Sequence, residues 1–76
     1  MSNRIAIQTE FIKLDQFLKF SGAAATGGNA KELVASGKIM VNGEPCLIRG
    51  KKLRPGDVVE AGGQRYEVAA GENQPD

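Results

Sequence analysis

The spacing of apolar residues changes near the middle of this chain, and that change limits the folds open to it. Between residues 14 and 34 the apolar side chains recur at helical spacing, and beyond residue 38 they follow strand patterns between turn dipeptides. Because a chain of 76 residues has room for one domain with a small core, both kinds of segment must share that core. The pattern predicts an α+β fold, with two short helices packed on a small, mostly antiparallel sheet.

Two apolar stripes predict the helices. Each stripe has residues at i, i+3 and i+4, which are Leu14, Phe17 and Leu18 in the first and Ala30, Leu33 and Val34 in the second. We expect the first helix to end at Ser21-Gly22. The second helix should begin at Thr26, a good N-cap residue, and stop at Gly37.

Strand and turn signals occupy the rest of the chain. The Asn42-Gly43 dipeptide suits a tight hairpin because both residues tolerate positive φ. Pro55-Gly56-Asp57 and Gly62-Gly63 mark two further turns. The predicted strands contain residues 5–7, 39–41, 46–48, 58–59 and 66–68. Residues 71–76 are polar and acidic, and they predict a flexible tail to a single domain that spans residues 1–76.

Charge is unevenly distributed along the sequence. Residues 13–54 contain eight basic and three acidic residues, a net charge of +5, whereas residues 57–76 have a net charge of −4. The densest cluster is the predicted loop 49–54, which contains Arg49, Lys51, Lys52 and Arg54. A folded domain that gathers such cations on one side attracts a polyanion. Nucleic acid is therefore the first partner to expect.

The residue inventory excludes several classes of chemistry. The chain has no histidine and one cysteine, Cys46, so a disulfide framework, a zinc finger and histidine-dependent catalysis are excluded. We interpret Cys46 as a small packing residue, Asp15 as a helix-start charge and Asp57 as a turn residue. We therefore expect no catalytic residue, no cofactor and no metal. The absence of a signal peptide or a long apolar run predicts a cytoplasmic protein with no membrane partner. We also expect a monomer.

Aromatic content bears on the mode of nucleic-acid recognition. The sequence has three Phe, one Tyr and no Trp, so stacking of many bases on aromatic side chains is not expected. Phe20, near the end of the first helix, is the plausible exposed platform. We interpret the neighbouring Lys19 as a charge that favours solubility. Recognition of structured RNA by its shape and phosphates is the favoured mode.

One ordered set of motifs runs through residues 12–68. It comprises Lys13-Leu14-Asp15, Leu18, Gly22, Thr26, Ala30-Lys31, Leu33-Val34, Gly37-Lys38, Val41-Asn42-Gly43, Lys52-Leu53 and Pro55-Gly56-Asp57-Val58. In this order the motifs resemble the S4 RNA-binding domain, the family named after small-subunit ribosomal protein four and described by its αL motif. Residues 26–31 are similar to those of the small stand-alone bacterial members of the YbcJ kind. Where family members usually carry an arginine, this chain has Gly27.

The resemblance implies a non-catalytic protein that binds structured RNA, either ribosomal or transfer RNA, with a ribosomal particle as one candidate target. It implies that the second helix and the loop 49–54 lie side by side and form a basic surface. The RNA-binding residues expected on this surface are Lys13, Asn29, Lys31, Lys38, Arg49, Lys51, Lys52 and Arg54. An alternative stays open, in which this protein is a protein-interaction adaptor. Its basic face would then dock on an acidic partner such as a ribosomal protein or an RNA-modifying enzyme.

Overall fold

The fold was analysed on a computed structural model that describes residues 2–71. In chain order its elements are β1 (Ser2–Ile7), β2 (Ile12–Lys13), α1 (Leu14–Ser21), α2 (Gly27–Ala35), β3 (Met40–Val41), β4 (Glu44–Pro45), β5 (Lys52–Leu53), β6 (Val58–Ala61) and β7 (Gln64–Ala70). The two predicted helices and the predicted α+β class are confirmed. Of the predicted flexible tail, residues 72–76 lie outside the described part of the chain.

The strands form two separate sheets. The larger sheet has the order β1-β7-β6-β3-β4, and the smaller one is a two-stranded ribbon of β2 and β5. All neighbouring strands are antiparallel except β1 and β7, which are parallel. The first strand, β1, therefore lies at one edge of the large sheet and pairs with the last strand, β7. This confirms a mostly antiparallel sheet and adds a parallel edge that the sequence did not predict.

The ends of the helices follow local chemistry. α1 ends at Gly22, whose φ of 88° is a left-handed conformation that suits glycine. α2 begins after Thr26, whose side-chain oxygen accepts the backbone N–H of Asn29 at 3.1 Å. The chain leaves α2 through Gly37 at a φ of 79°. The predicted start and stop signals are confirmed.

The core joins α1 and α2 to the large sheet. Its largest fully buried side chains are Phe17, Leu14, Leu18, Ile39, Leu53, Val34, Val59 and Val68. The ring of Phe17 packs edge-on against that of Tyr66 in β7, with 6.5 Å between ring centroids. In α2, Ala30 and Val34 are buried, and Leu33 packs on the core while half-buried. The apolar stripes therefore face inward as predicted.

The predicted strand at residues 46–48 is wrong. β4 ends at Pro45, and one further hydrogen bond joins the N–H of Cys46 to the carbonyl of Ile39 at 3.0 Å. Cys46 is buried as predicted, but Leu47 and Ile48 are 64% and 65% exposed. The chain leaves the sheet here because its next residues turn toward the start of α1, where their carbonyl groups bond to the helix.

Candidate nucleic-acid interface

The β2–β5 ribbon has an apolar face and a charged face. Ile12 pairs with Leu53, and Lys13 pairs with Lys52. Leu53 is fully buried and Ile12 packs partly against the core. Because side chains alternate along a strand, Lys13 and Lys52 both lie on the opposite face, where they are exposed. A two-residue pairing thus places two cations side by side at the surface.

The two lysines stand directly opposite each other across the ribbon. The Cβ atoms of such a cross-strand pair are about 5 Å apart, and like-charged side chains directly opposite each other disfavour the pairing. The ammonium of Lys52 is also attracted to an aromatic ring, since its Nζ lies 4.8 Å from the centroid of Phe11. An anion bound between the two lysines would relieve their repulsion.

The loop that precedes β5 is bonded to the start of α1. The N–H of Leu14 donates to the carbonyl of Lys51 at 2.9 Å, and the N–H of Asp15 donates to the carbonyl of Arg49 at 3.1 Å. The N-cap residue of α1, Lys13, makes no side-chain cap. Because the first N–H groups of a helix lack partners within it, the loop carbonyls cap α1. This arrangement fixes the backbone of Arg49 and Lys51 next to Lys13.

Arg54 is positioned by two motifs that meet in space. Its N–H donates to Asp57 Oδ2 at 2.9 Å, and its carbonyl accepts the N–H of Asp57 at 2.9 Å. Asn42 Nδ2 donates to Asp57 Oδ1 at 3.3 Å, and Asn42 Oδ1 accepts the N–H of Val58 at 3.0 Å. The Val-Asn-Gly hairpin and the Pro-Gly-Asp turn are therefore joined. The sequence predicted Asn42 as a turn residue alone and missed this second role.

We call one group of cations the basic ribbon, namely Lys13, Arg49, Lys51, Lys52 and Arg54. All five side chains are exposed. Within residues 2–71 the ion pair with N···O of 4.0 Å or less is that of Arg4 with Glu67, at 3.8 Å. None of the five charged groups of the basic ribbon forms such an ion pair with a carboxylate of the described chain, and all five are exposed to an external anion.

Two other predicted site residues, Lys31 and Lys38, lie on other parts of the chain than the basic ribbon. Lys31 is exposed on α2, facing outward as its position in the helix predicts. Lys38 follows α2 and lines an open cavity of about 350 Å³ together with Glu60 and Arg65, beside the turn between β6 and β7. Across residues 2–71 no hydrogen bond or shared cavity connects Lys38 to the basic ribbon.

Asn29 contributes to the start of α2. Its N–H donates to Thr26 Oγ1, and its own Oδ1 accepts the N–H of Ala25 at 3.2 Å. The first bond is the N-cap contact of a capping box, whereas the second holds Ala25, the residue before the N-cap, in place of the N-cap N–H that a full capping box uses. The predicted site residue Asn29 thus has a structural role, and its side-chain N–H₂ keeps donors for a ligand.

Lys19 is a cation near this helix start that the sequence reasoning assigned to solubility. Its Nζ lies 3.9 Å from the point that a Cβ atom on Gly27 would occupy. Lys19 reaches from the last turn of α1 across to the first residue of α2, and its side chain lies at ordinary contact distance from Gly27. The local sequence pattern did not indicate this approach, because it joins two different helices.

Between residues 2 and 71, no three His, Cys, Asp or Glu side chains gather in a way that could hold a metal ion. None of the helices in that part of the chain is long and apolar enough to span a membrane. Cys46 is a buried free thiol whose Sγ lies 3.7 Å from the carbonyl oxygen of Ile48.

Comparison with known proteins places these features in a family. The S4 domain profile matches residues 5–69. The chain is 48% identical over 63 residues to the probable ribosome maturation protein RlbA of Bacillus subtilis (strain 168), covering 83% of this chain and 89% of that protein. It is 39% identical over 57 residues to small ribosomal subunit protein uS4 of Novosphingobium aromaticivorans, covering 75% of this chain and 28% of that one.

A second uS4 protein and a solved structure agree with this assignment. The uS4 of Akkermansia muciniphila is 37% identical over 60 residues, covering 79% of this chain and 30% of its own. The crystal structure of 30S ribosomal protein S4e from Thermoplasma acidophilum superposes with a TM-score of 0.61 at 20% identity, over 79% of this chain and 32% of that one. That likeness concerns the fold. On the family match and the Bacillus relative, the chain belongs to the S4 family of RNA-binding domains.

Proposed function

We propose that this protein binds structured ribosomal RNA through the basic ribbon and does no chemistry on it. The observation that supports the proposal is the basic ribbon. Its five exposed cations lie on backbone that is hydrogen-bonded to α1 and to Asp57, and none of them forms an ion pair with a carboxylate of residues 2–71. The names of the relatives favour ribosomal over transfer RNA, since they are a probable ribosome maturation protein and ribosomal subunit proteins. A cytoplasmic location follows from such a target.

The physical basis of binding is neutralisation of phosphates. Lysine and arginine side chains that approach a polyanion release its condensed counterions, and this release supplies much of the affinity. The close pair Lys13 and Lys52 gains most, because a phosphate between them removes their repulsion. If the ribbon neutralises about five phosphates, log K should fall with log[salt] at a slope of about −3.5 to −4.5.

The geometry also favours a particular form of RNA. The ribbon presents ammonium and guanidinium groups on a surface held by hydrogen bonds, and it offers no row of aromatic rings for a single strand. Phosphate contacts of this kind fix the position and orientation of a helix and carry little sequence information. We therefore expect recognition of RNA shape by a monomer. Lys31, Lys38 and Asn29 would contribute contacts outside the basic ribbon.

Charge reversal tests the proposal. Changing Lys51→Glu and Lys52→Glu together should abolish binding to folded ribosomal RNA fragments in a filter or anisotropy assay. The free energy of unfolding should change by less than about 1 kcal/mol, as is usual for exposed positions. The matched control is Arg4→Glu with Arg65→Glu, which changes the net charge equally on β1 and β7, outside the basic ribbon; because it breaks the exposed Arg4–Glu67 ion pair, its thermal unfolding is measured as well.

Three outcomes separate the possible readings of that experiment. Loss of binding in the ribbon variant alone supports the proposal. Equal loss of RNA binding in both variants means that the total charge of the protein, rather than a defined surface, governs RNA binding. Unchanged binding in the ribbon variant contradicts the proposal outright. An NMR titration with the same RNA adds a map, in which amides of β2, β5 and the start of α1 should shift and salt should reverse the shifts.

A specific observation favours a second candidate function, that of a protein-interaction adaptor. Leu47 and Ile48 are both exposed, and with Lys51 they line an open groove of about 390 Å³. Adjacent apolar side chains next to a cation suit a protein surface that has an apolar pocket and an acidic rim. If changing Leu47→Ser and Ile48→Ser removes the protein from ribosomal particles while affinity for naked RNA is unchanged, the adaptor function is supported. Unchanged association with particles contradicts it.

A further inference from the structure

An open groove next to the basic ribbon contains side chains suited to binding a nucleotide. The groove has a volume of about 430 Å³ and is lined by Ile12, Gln16, Lys19 and Phe20. Phe20 is the most conspicuous of them, because 61% of this aromatic residue is exposed. The groove is shallow and open, so a group bound on it keeps part of its surface in solvent.

The position of Phe20 on α1 explains why its ring is free. The buried stripe of α1 consists of Leu14, Phe17 and Leu18. Phe20 lies outside this stripe, one turn beyond Gln16, so these two side chains are neighbours on the outer surface of the helix. A ring in this position cannot pack on the core, and the groove keeps one side of it open to solvent.

Three lining residues offer chemically different groups. The ring of Phe20 gives an aromatic surface on which any base can stack. The side-chain amide of Gln16 has a donor and an acceptor, and it makes no hydrogen bond to any residue between 2 and 71. The ammonium of Lys19 lies beside the first residue of α2 and forms no ion pair within the described chain. A nucleotide has matching parts, namely a base face, a base edge and a phosphate.

The groove also lies at a useful distance from the basic ribbon. Ile12 belongs to β2 and directly precedes Lys13 of the ribbon. Along α1, Phe20 lies six residues beyond Leu14, a rise of about 9 Å at 1.5 Å per residue. That length corresponds to about two or three stacked nucleotides at 3.4 Å each. One RNA strand can therefore contact the ribbon and reach the groove.

We propose that the groove binds a single unpaired nucleotide of the RNA, with its base stacked on Phe20 and its phosphate at Lys19, while the basic ribbon holds phosphates of the adjoining helix. This inference rests on the proposed function, because the ribbon must first bring the RNA to the surface. It adds a preference that phosphate contacts alone do not give. The protein distinguishes a helix with a bulged or terminal unpaired base from a continuous duplex.

The test uses stem-loops that share one stem and differ by a single bulged adenine, placed at successive positions. The wild-type protein should bind the best bulged stem-loop at least about 5-fold more tightly than the continuous one, which is the lower limit for stacking of one base on an aromatic ring. The variants Phe20→Ala and Phe20→Leu should lose this preference and retain the affinity for the continuous stem-loop. Phe20→Leu is the matched control for apolar bulk, because leucine fills space without an aromatic face.

A second measurement reports the stacking directly. The sequence contains no Trp, so Phe20→Trp introduces a single tryptophan into the groove, and this residue can be excited selectively over Tyr66. This variant should keep the preference for the bulged stem-loop, and its emission should be quenched on binding that RNA and much less on binding the continuous one. Because Phe20 is exposed, all three variants should fold, and their thermal unfolding verifies this.

The outcomes distinguish this inference from the proposed function. If the wild-type protein binds both kinds of stem-loop equally, or if Phe20→Leu keeps the preference, the groove does not bind a base, while the role of the ribbon is unaffected. If neither stem-loop binds even at low salt, both proposals are overturned. A preference that disappears in Phe20→Leu and persists in Phe20→Trp supports the inference.

Discussion

The five-stranded sheet and the β2–β5 ribbon show two different ways of using extended chain. In the large sheet, β6 and β7 place Val59, Tyr66 and Val68 in the core. In the ribbon, each strand has two residues, and one residue of each faces outward as a lysine. The sheet is held by buried apolar area. The ribbon is held by Leu53 and by backbone bonds to α1.

In this small protein, the residues that provide stability and the residues that are free to bind a ligand therefore lie in different regions. The β2–β5 ribbon is held by main-chain hydrogen bonds to α1 and by the buried side chain of Leu53. Its charged side chains therefore contribute little to folding and are available to bind a ligand. The core-facing residues of the sheet have no such freedom. Variants of the two regions should therefore fall into distinct groups, and the predictions below test that division.

The largest effect is expected in the core that joins α1 to the sheet. Changing Phe17→Ala removes a fully buried ring that packs on Tyr66, and it should lower the free energy of unfolding by about 3–5 kcal/mol. That loss is a large part of the roughly 5–15 kcal/mol typical of a domain. Urea unfolding followed by circular dichroism measures it. A loss below 1 kcal/mol would show that the core does not depend on this contact.

An intermediate effect is expected where the hairpin meets the Asp57 turn. Asn42→Gly keeps the positive φ of 52° accessible but removes the side-chain bonds, and Asp57→Ala removes the acceptor for Arg54 and Asn42. Each change should cost about 1–2 kcal/mol. The double variant should cost less than the two together by at least about 0.5 kcal/mol, because they share a bond. Additive losses in a double-mutant cycle would mean that the two motifs are independent.

The smallest effect should have the opposite sign. Changing Lys13→Glu replaces a repulsion across the ribbon with an attraction to Lys52 and should raise the free energy of unfolding by about 0.2–1 kcal/mol. RNA affinity should fall at the same time, and the salt slope should become shallower by at least about 1. Lys13→Ala is the control that removes the repulsion alone. A destabilised Lys13→Glu variant with unchanged RNA affinity would contradict the division between the two regions.

Local signals in the sequence predicted the local structure. The apolar stripes gave α1 and α2, Thr26 and Gly22 marked helix ends, and Asn42-Gly43 gave the β3–β4 hairpin. Each of these depends on residues within a few positions of one another, so spacing and turn chemistry are sufficient. The predicted strand at residues 46–48 was wrong because the residues that follow it hydrogen-bond to the start of α1. An apolar run therefore indicates a buried strand only where no competing contact forms.

Contacts between distant residues were beyond the sequence reasoning. The pairing of Ile12 with Leu53 joins segments about 40 residues apart with only two residues in each strand, too few for a periodic signal. The parallel pairing of β1 with β7 and the bond between Asn42 and Asp57 are of the same kind. The cluster of charge at 49–54 was visible in the sequence, whereas its closeness to Lys13 was implied only by the family resemblance, because it depends on pairings that local patterns do not show. The role of these cations in RNA binding stays a prediction.

The capping of α1 by the carbonyls of Arg49 and Lys51 limits how this segment can change over evolution. An inserted or deleted residue between Ile48 and Lys52 would shift both carbonyls out of register with the helix that they complete. Replacing the side chains leaves the main-chain bonds intact. We therefore expect the segment to tolerate many substitutions, and hence to adapt its specificity, while its length stays constant.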